Sequence, residues 1–238
     1  MSPPRPGRAA IFLDFDGTLV DIAPRPEDVV VSPDLKDTLK RLVDRHEGAV
    51  AVVTGRKIEE VDHLLGLPLA AAGMHGLERR PTPGDAVESA PPPEDIHTLR
   101  ERLLTHSVLS GGVTLEDKGA GLALHYRAAP HRKDDVIAAM SEAIADLDAL
   151  GIIHGKMVLE AKAKSHDKGA AVEAFLAGLP FAHRVPLFLG DDVTDEDGIR
   201  AAQAAGGHGI KVGDGQTAAK HRLANVPAVH AYLKSIAE

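Results

Sequence analysis

Apolar positions fall into short unbroken runs separated by helical repeats. Ala9-Ala10-Ile11-Phe12-Leu13 has no polar alternation, which marks a strand buried on both faces. Ala49 to Val53 is a second such run and Leu69-Ala70-Ala71-Ala72 a third. Between the first two, Ser32-Pro33-Asp34 reads as a helix start: an N-cap serine, proline at the first position, an acid near the positive end. Leu35, Leu39, Leu42 and Val43 then share one helical face, and Gly48 closes that helix. Ile58, Val61, Leu64 and Leu65 mark the next. Residues 19–31, with Pro24 and Pro26 ahead of Val29-Val30-Val31, read as a loop and a short hairpin-like flap. Strand, helix, strand, helix, strand predicts a parallel, Rossmann-like sheet with right-handed crossovers.

The pattern changes near Glu78. Pro81, Pro83 and Pro91-Pro92-Pro93 punctuate the chain, and a helix is predicted over 94–109. Val113 to Arg127 reads as two strands around a Gly-containing turn. A second helix is predicted over 134–150, and further strand over 152–160. Residues 78–160 are therefore expected to form an inserted α+β cap domain, with 1–77 and 161–238 forming the α/β core. From Asp167 the first pattern returns. A helix runs through Ala170, Val172, Phe175 and Leu176, and Val185 to Leu189 forms a strand. An Ala-rich helix follows Thr194, then a strand His208–Val212 and a closing helix Val226–Ile236.

Composition narrows the partners. Aromatics are 3% of the 238 residues and Trp is absent, so the core must be aliphatic and a base-stacking surface is not expected. A net charge of -8 argues against nucleic acid or an anionic membrane as partner. The chain has no Cys, which excludes disulfides, thiol chemistry and Cys-ligated zinc and is compatible with the expected cytoplasmic location. Residues 1–8 are Pro-rich and no long apolar run follows them, so neither a signal peptide nor a membrane span is expected. The 13 histidines form no spaced cluster of the kind that binds metal. A small-molecule substrate and a monomer are the working expectations.

In open parallel sheets, ligands bind beyond the carboxyl ends of the strands. Here the first strand ends in Asp14-Phe15-Asp16-Gly17-Thr18, the second in Thr54-Gly55-Arg56, and the strand near 187 in Gly190-Asp191-Asp192. Lys168-Gly169 opens the helix before that last strand. Acids, a hydroxyl and a lysine on one edge suit phosphoryl transfer. Asp14 is the candidate nucleophile. Asp16, two residues on, leans to the same side and can move protons. Carboxylates facing a phosphate need a hard divalent cation, and Mg²⁺ suits an all-oxygen set of Asp14, the Asp16 carbonyl and Asp191, supported from behind by Asp192 and Asp195. Thr54 and nearby N–H groups hold phosphate oxygens, and Lys168 offsets negative charge. Lys164 is a rival for that role. The blander reading makes Asp16-Gly17 a turn and Asp14 a cap.

These four stretches, with Val193-Thr194-Asp195-Glu196-Asp197 extending the last, resemble the four motifs of the haloacid dehalogenase superfamily of phosphatases, in that order. The resemblance implies a haloacid dehalogenase-like hydrolase core, an inserted cap, Mg²⁺ dependence and an aspartyl-phosphate intermediate. It is sharper for the trehalose-6-phosphate phosphatase family, to which Gly190-Asp191-Asp192-Val193-Thr194-Asp195-Glu196 and Gly73-Met74-His75-Gly76-Leu77-Glu78-Arg79 are similar. That likeness implies hydrolysis of trehalose-6-phosphate to trehalose and phosphate. It makes Glu116, Lys118 and Glu160 partners of sugar hydroxyls with Arg127 close by, and puts Gly55, Arg56 and His75 on the substrate side. The run from Glu160 to Lys168 departs from the family by lacking a proline after the glutamate. Sucrose-6-phosphate or a glucosylglycerol phosphate is the alternative substrate. A phosphoacceptor signalling domain is the alternative of another class.

Overall fold

The computed structural model describes residue 4, residues 8–23, residue 25 and residues 28–238. The chain forms two compact units, one up to Ser89 and again from His166, the other Ala90–Ser165. In chain order the first unit opens with β1 (Ala9–Leu13), α1 (Pro33–Arg45), β2 (Val50–Val53), α2 (Ile58–Leu65), β3 (Ala70–Gly73), β4 (Glu78–Arg80) and β5 (Glu88–Ser89). The second unit holds α3 (Asp95–Leu104), β6 (Thr114–Asp117), β7 (Gly121–His125), α4 (Lys133–Ala143), β8 (Leu150–Gly155) and β9 (Val158–Ala163). The chain then returns with α5 (Lys168–Leu176), β10 (Val185–Gly190), α6 (Asp195–Ala204), β11 (His208–Val212), β12 (His221–Leu223) and α7 (Val226–Ile236). Among the described residues no helix is long and apolar enough to cross a membrane.

The first unit is one eight-stranded sheet, ordered β12-β11-β10-β1-β2-β3-β4-β5. Its strands run parallel from β12 to β3, and β4 and β5 join antiparallel. The unbroken apolar runs follow from cover on both faces. Ile11 and Leu13 share a core with Leu35, Leu39 and Leu42 of α1 and Val229, Leu233 and Ile236 of α7. Ala10 and Phe12, on the opposite face, pack with Val172 and Phe175 of α5 and Ile199 and Ala202 of α6. The chain leaves β1 toward β2 on one side and returns to pair it with β10 on the other. The carboxyl end of β1 is therefore the topological switch point, where such sheets bind ligands.

The second unit is a four-stranded antiparallel sheet, ordered β6-β7-β9-β8. Leu122, Leu124, Leu159 and Ala161 bury one face against α3 and α4. The register pairs Glu116 with Ala123 and Ala123 with Glu160, so those side chains share the opposite face. Along β9, Leu159 and Ala161 alternate with Glu160 and Lys162, whereas β7 is buried from Gly121 to Leu124.

Several expectations change. Residues 28–31 carry no strand, so the hairpin-like flap is absent there; Pro24, Pro26 and Glu27 lie outside the described residues. Val29 alone of its apolar trio is buried, while Val30 is exposed, which removes the drive to pair. The helix expected to reach residue 109 ends at Leu104, where Thr105 Oγ1 donates back to the Glu101 and Arg102 carbonyls. The helix expected to reach 150 ends at Ala143, whose carbonyl accepts from Arg102. Leu147 stays buried, so its apolar period survives in a turn and imitates a longer helix. The strand read over 152–160 is two strands joined at Lys156-Met157. β12 was not expected: its residues His221-Arg222-Leu223 carry no apolar run.

Candidate active site

Register aligns the strand ends. Leu13 lies opposite Leu189 on one side and Val52 on the other, so Asp14, Thr54 and Asp191 emerge at one edge. Asp14 is 4% exposed, and its N–H donates to the Leu189 carbonyl at 3.0 Å. Lys168 Nζ sits 2.6 Å from Asp14 Oδ1 and 2.7 Å from Asp195 Oδ1. A cation in the first turn of α5 opposes the helix dipole, so this position is explained by the two carboxylates and not by the helix. Asp167 caps α5 through the Ala170 N–H at 2.8 Å and sets where Lys168 stands.

Asp195 has both oxygens engaged. Its Oδ2 accepts the N–H groups of Asp191 at 3.0 Å and Asp192 at 2.9 Å. That arrangement needs glycine at position 190, where a Cβ would stand 2.2 Å from the Asp195 carboxyl carbon. Gly17 is required in the same way, with φ +81 and a Cβ position 2.2 Å from Asp191 Oδ2.

Carboxylate oxygens of Asp14, Asp191 and Asp195 all lie within 4.8 Å of one another. Burial, then the charges of Asp195 and Asp191, push the Asp14 carboxyl well above its usual range against the pull of Lys168. Burial, then Asp195 and Asp192, raise Asp191 to about 6. For Lys168, burial pulls downward, but Asp14 and Asp195 outweigh it and the ammonium is held charged. Crowded carboxylates with oxygen donors only are the chemistry of a hard divalent cation. With Asp195 committed to Lys168 and two N–H groups, Asp14 and Asp191 are the carboxylates with oxygens to offer.

Asp16 has a different partner. Arg56 donates to it from Nε at 2.6 Å and from Nη2 at 2.8 Å. Thr54 is buried, and its Oγ1 accepts the Arg56 N–H at 3.1 Å. The His75 N–H donates to the Thr54 carbonyl at 3.0 Å and the Met74 N–H to the Arg56 carbonyl at 2.9 Å. These bonds tie the exit of β3 to the exit of β2. A Cβ on Gly55 would meet His75 Nε2 at 2.8 Å, so Gly55 lets the ring approach. Asp192, exposed, contributes its N–H to Asp195.

The remaining expected residues lie in the second unit. On its polar face Lys118 Nζ is 2.7 Å from Glu160 Oε2, and His125 Nε2 is 2.7 Å from Glu116 Oε2. The His125 contact, and then Lys118, hold the Glu116 carboxyl below its ordinary range. Arg127 is exposed just past β7. Lys164 also lies in this unit, its Nζ donating to the Asp148 carbonyl at 3.1 Å. Sequence reasoning gave no role to two buried residues of the first unit. Glu196 is buried and accepts the Ala218 N–H at 2.8 Å. Lys211 is buried with its Nζ on the Asp191 carbonyl. The signal for Lys211 was a single charge inside an apolar strand.

A sequence profile described as trehalose-phosphatase matches residues 12–228. The chain belongs to the trehalose-phosphatase family. Within that family it is 37% identical to the trehalose-6-phosphate phosphatase of Escherichia coli (strain K12), over 99% of this chain and 89% of that protein. It is 40% identical to a probable trehalose-phosphate phosphatase of Sinorhizobium fredii, over 96% of this chain and 86% of that one. Among solved structures it is similar to the C-terminal domain of the Candida albicans trehalose-6-phosphate phosphatase, with TM-score 0.84 at 20% identity, covering 98% and 93% of the two chains. A Bacillus subtilis haloacid dehalogenase-like hydrolase gives TM-score 0.71 at 14% identity, covering 95% and 99%, and shares the fold. The α/β core of this chain is thus haloacid dehalogenase-like in fold.

Proposed function

We propose that the protein is a Mg²⁺-dependent phosphoric monoester hydrolase that converts trehalose-6-phosphate to trehalose and phosphate. The observation that carries the reaction is the buried Asp14 carboxylate, held by Lys168 beside Asp191 and Asp195 at the switch point of the sheet. The substrate follows from the family and from relatives that bear that name.

Asp14 attacks phosphorus and the ester bond breaks, leaving an aspartyl phosphate. Asp16 gives a proton to the departing sugar oxygen and later takes one from the water that attacks the intermediate. Lys168 offsets charge on Asp14 and on the phosphoryl oxygens, and Thr54 with neighbouring N–H groups holds those oxygens. Arg56 orients Asp16 through its two hydrogen bonds. Asp14, Asp191 and the Asp16 carbonyl would hold Mg²⁺, which when bound screens the carboxylates from the phosphate. In this reading the second unit is the cap, residues 78–160 in the sequence expectation. Its polar face offers Glu116, Lys118 and Glu160, with Arg127, to sugar hydroxyls that would otherwise be buried without partners. The lack of Cys suits the reducing cytoplasm in which we place the protein.

A phosphate-release panel tests it. Trehalose-6-phosphate with Mg²⁺ should be the best substrate, ahead of sucrose-6-phosphate and glucosylglycerol phosphate, and Asp14→Asn should abolish turnover with the fold retained. Better turnover of another ester would refute the substrate. A long-lived aspartyl phosphate without turnover would mark a phosphoacceptor domain instead.

A further inference from the structure

β11 carries one lysine among buried residues. Gly209, Ile210, Lys211 and Val212 are all buried, and Lys211 is only 4% exposed. An ammonium buried this far is costly unless something compensates it. Leucine or methionine would fill the strand without that cost. Among the described residues its hydrogen bond goes to one group, the main-chain carbonyl of Asp191. The register explains the reach: Lys211 stands beside Gly190, the last residue of β10, and extends one residue further along the sheet edge.

Asp191 is thereby held on both sides of its Cα. Its N–H is taken by Asp195 Oδ2 and its carbonyl by Lys211 Nζ. Gly17 closes in on its carboxylate, at a distance that leaves no room for a Cβ. A backbone fixed at both ends leaves the carboxylate few directions to point, and the one it takes lies within 4.8 Å of Asp14 and Asp195. Asp195 and Lys168 form the other half of the same support, from α6 and α5.

We infer that Lys211 is a positioning residue, pinning the Asp191 carbonyl so that the Asp191 carboxylate meets Asp14 in the geometry a divalent cation needs. This rests on the cation-dependent reading of the site given above. Lys211 touches neither substrate nor phosphate in this role. Its removal acts on cation affinity first, and on turnover only through it.

The test is a titration of the purified full chain with Mg²⁺ alone, by calorimetry, beside thermal melts with and without Mg²⁺. Lys211→Met should bind Mg²⁺ at least about tenfold more weakly than the natural protein, about 1.4 kcal/mol, with a smaller Mg²⁺-dependent rise in Tm. Its cation-free Tm should stay within a few degrees, because a buried charge has been removed along with a hydrogen bond. Raising Mg²⁺ should restore phosphate release, and Lys211→Arg should keep affinity within about threefold. Should Lys211→Met not fold, Lys211→Gln is judged by the same criteria. Mg²⁺ affinity equal to or tighter than that of the natural protein overturns the inference, since the lysine would then act only as a charge opposing the cation. If the natural protein binds no Mg²⁺, the inference and the cation-dependent reading fall together. If it binds Mg²⁺ and releases phosphate while Lys211→Met matches it, Lys211 alone loses its role.

Discussion

Arg56 grips Asp16 with two parallel hydrogen bonds, Nε to Oδ2 at 2.6 Å and Nη2 to Oδ1 at 2.8 Å. The two residues leave the ends of neighbouring parallel strands, so the sheet sets their separation. A planar fork on a carboxylate fixes orientation as well as distance. Arg56→Lys keeps the charge and loses the fork. Its kcat should fall by about 10- to 100-fold, the scale of a misplaced proton-transfer group, with Tm little changed. An undiminished kcat would take Arg56 out of the orientation of Asp16.

Lys168→Met leaves Asp14 and Asp195 buried without their shared cation. Removing one partner from such a cluster costs about 3–5 kcal/mol, so the cation-free variant should show a clear loss in denaturant midpoint. Mg²⁺ should recover part of it by binding the Asp14 carboxylate. Lys164→Met, whose lysine contacts the Asp148 carbonyl instead, should do neither.

Gly190→Ala tests the support beneath the acids. Its Cβ would fall 2.2 Å from the Asp195 carboxyl carbon, so the carboxylate must move. Bonds from Asp195 to Lys168 and to the Asp191 and Asp192 N–H groups should break together. Turnover should drop by about 100-fold or more, and kinetics with Mg²⁺ titration would detect it. Near-normal activity would mean that Asp195 tolerates displacement.

The polar face of the second unit should govern sugar recognition and not chemistry. Lys118→Met and Glu160→Gln each remove one end of the 2.7 Å pair. We expect KM for trehalose-6-phosphate to rise about tenfold or more. Mg²⁺ binding by calorimetry should be unchanged. An unchanged KM would move sugar recognition elsewhere.

His46 predicts an acid-side loss of stability. It is buried, and its Nδ1 accepts the Ala9 N–H at 3.2 Å, which requires that nitrogen to be unprotonated. Burial, helped by Arg45 and Arg184, holds the imidazole below 6.5. The unfolded chain therefore binds the proton first as pH falls through 6.5, and stability declines from there down to the depressed folded value. His46→Asn should flatten this slope between pH 7 and 5 in melts compared with the natural protein. Parallel slopes would show that other groups cause the decline.

Much of the site was legible because its parts end apolar runs. Asp14, Thr54 and Asp191 each follow a strand that has no polar alternation, and local pattern alone reveals such ends. The closing helix Val226–Ile236 was legible for the same local reason. Pattern failed where burial continued without the element. Leu147 is buried in a turn and Val108 in a loop, and both extend a helical period past the true helix end. It also failed at Lys164 and Lys168, four residues apart and alike in sequence. An Asp167 cap and two distant carboxylates, Asp14 at the end of β1 and Asp195 at the start of α6, separate them.

By itself the amino-acid sequence determined which chemical groups this protein owns and the order in which strands and helices present them, since apolar periodicity and capping act within a few residues. Tertiary structure alone decided which charges meet. Lys168 joins Asp14 and Asp195, Arg56 takes Asp16, and Lys211 reaches the Asp191 carbonyl. Hydrogen bonds weaken steeply with distance and angle. Strand register and the approach of α5 to α6 set those distances here, across separations of up to 154 residues in the Lys168–Asp14 pair. Asp14 and Asp16 show the division: two residues apart and equal in chemistry, they are given different partners by the fold.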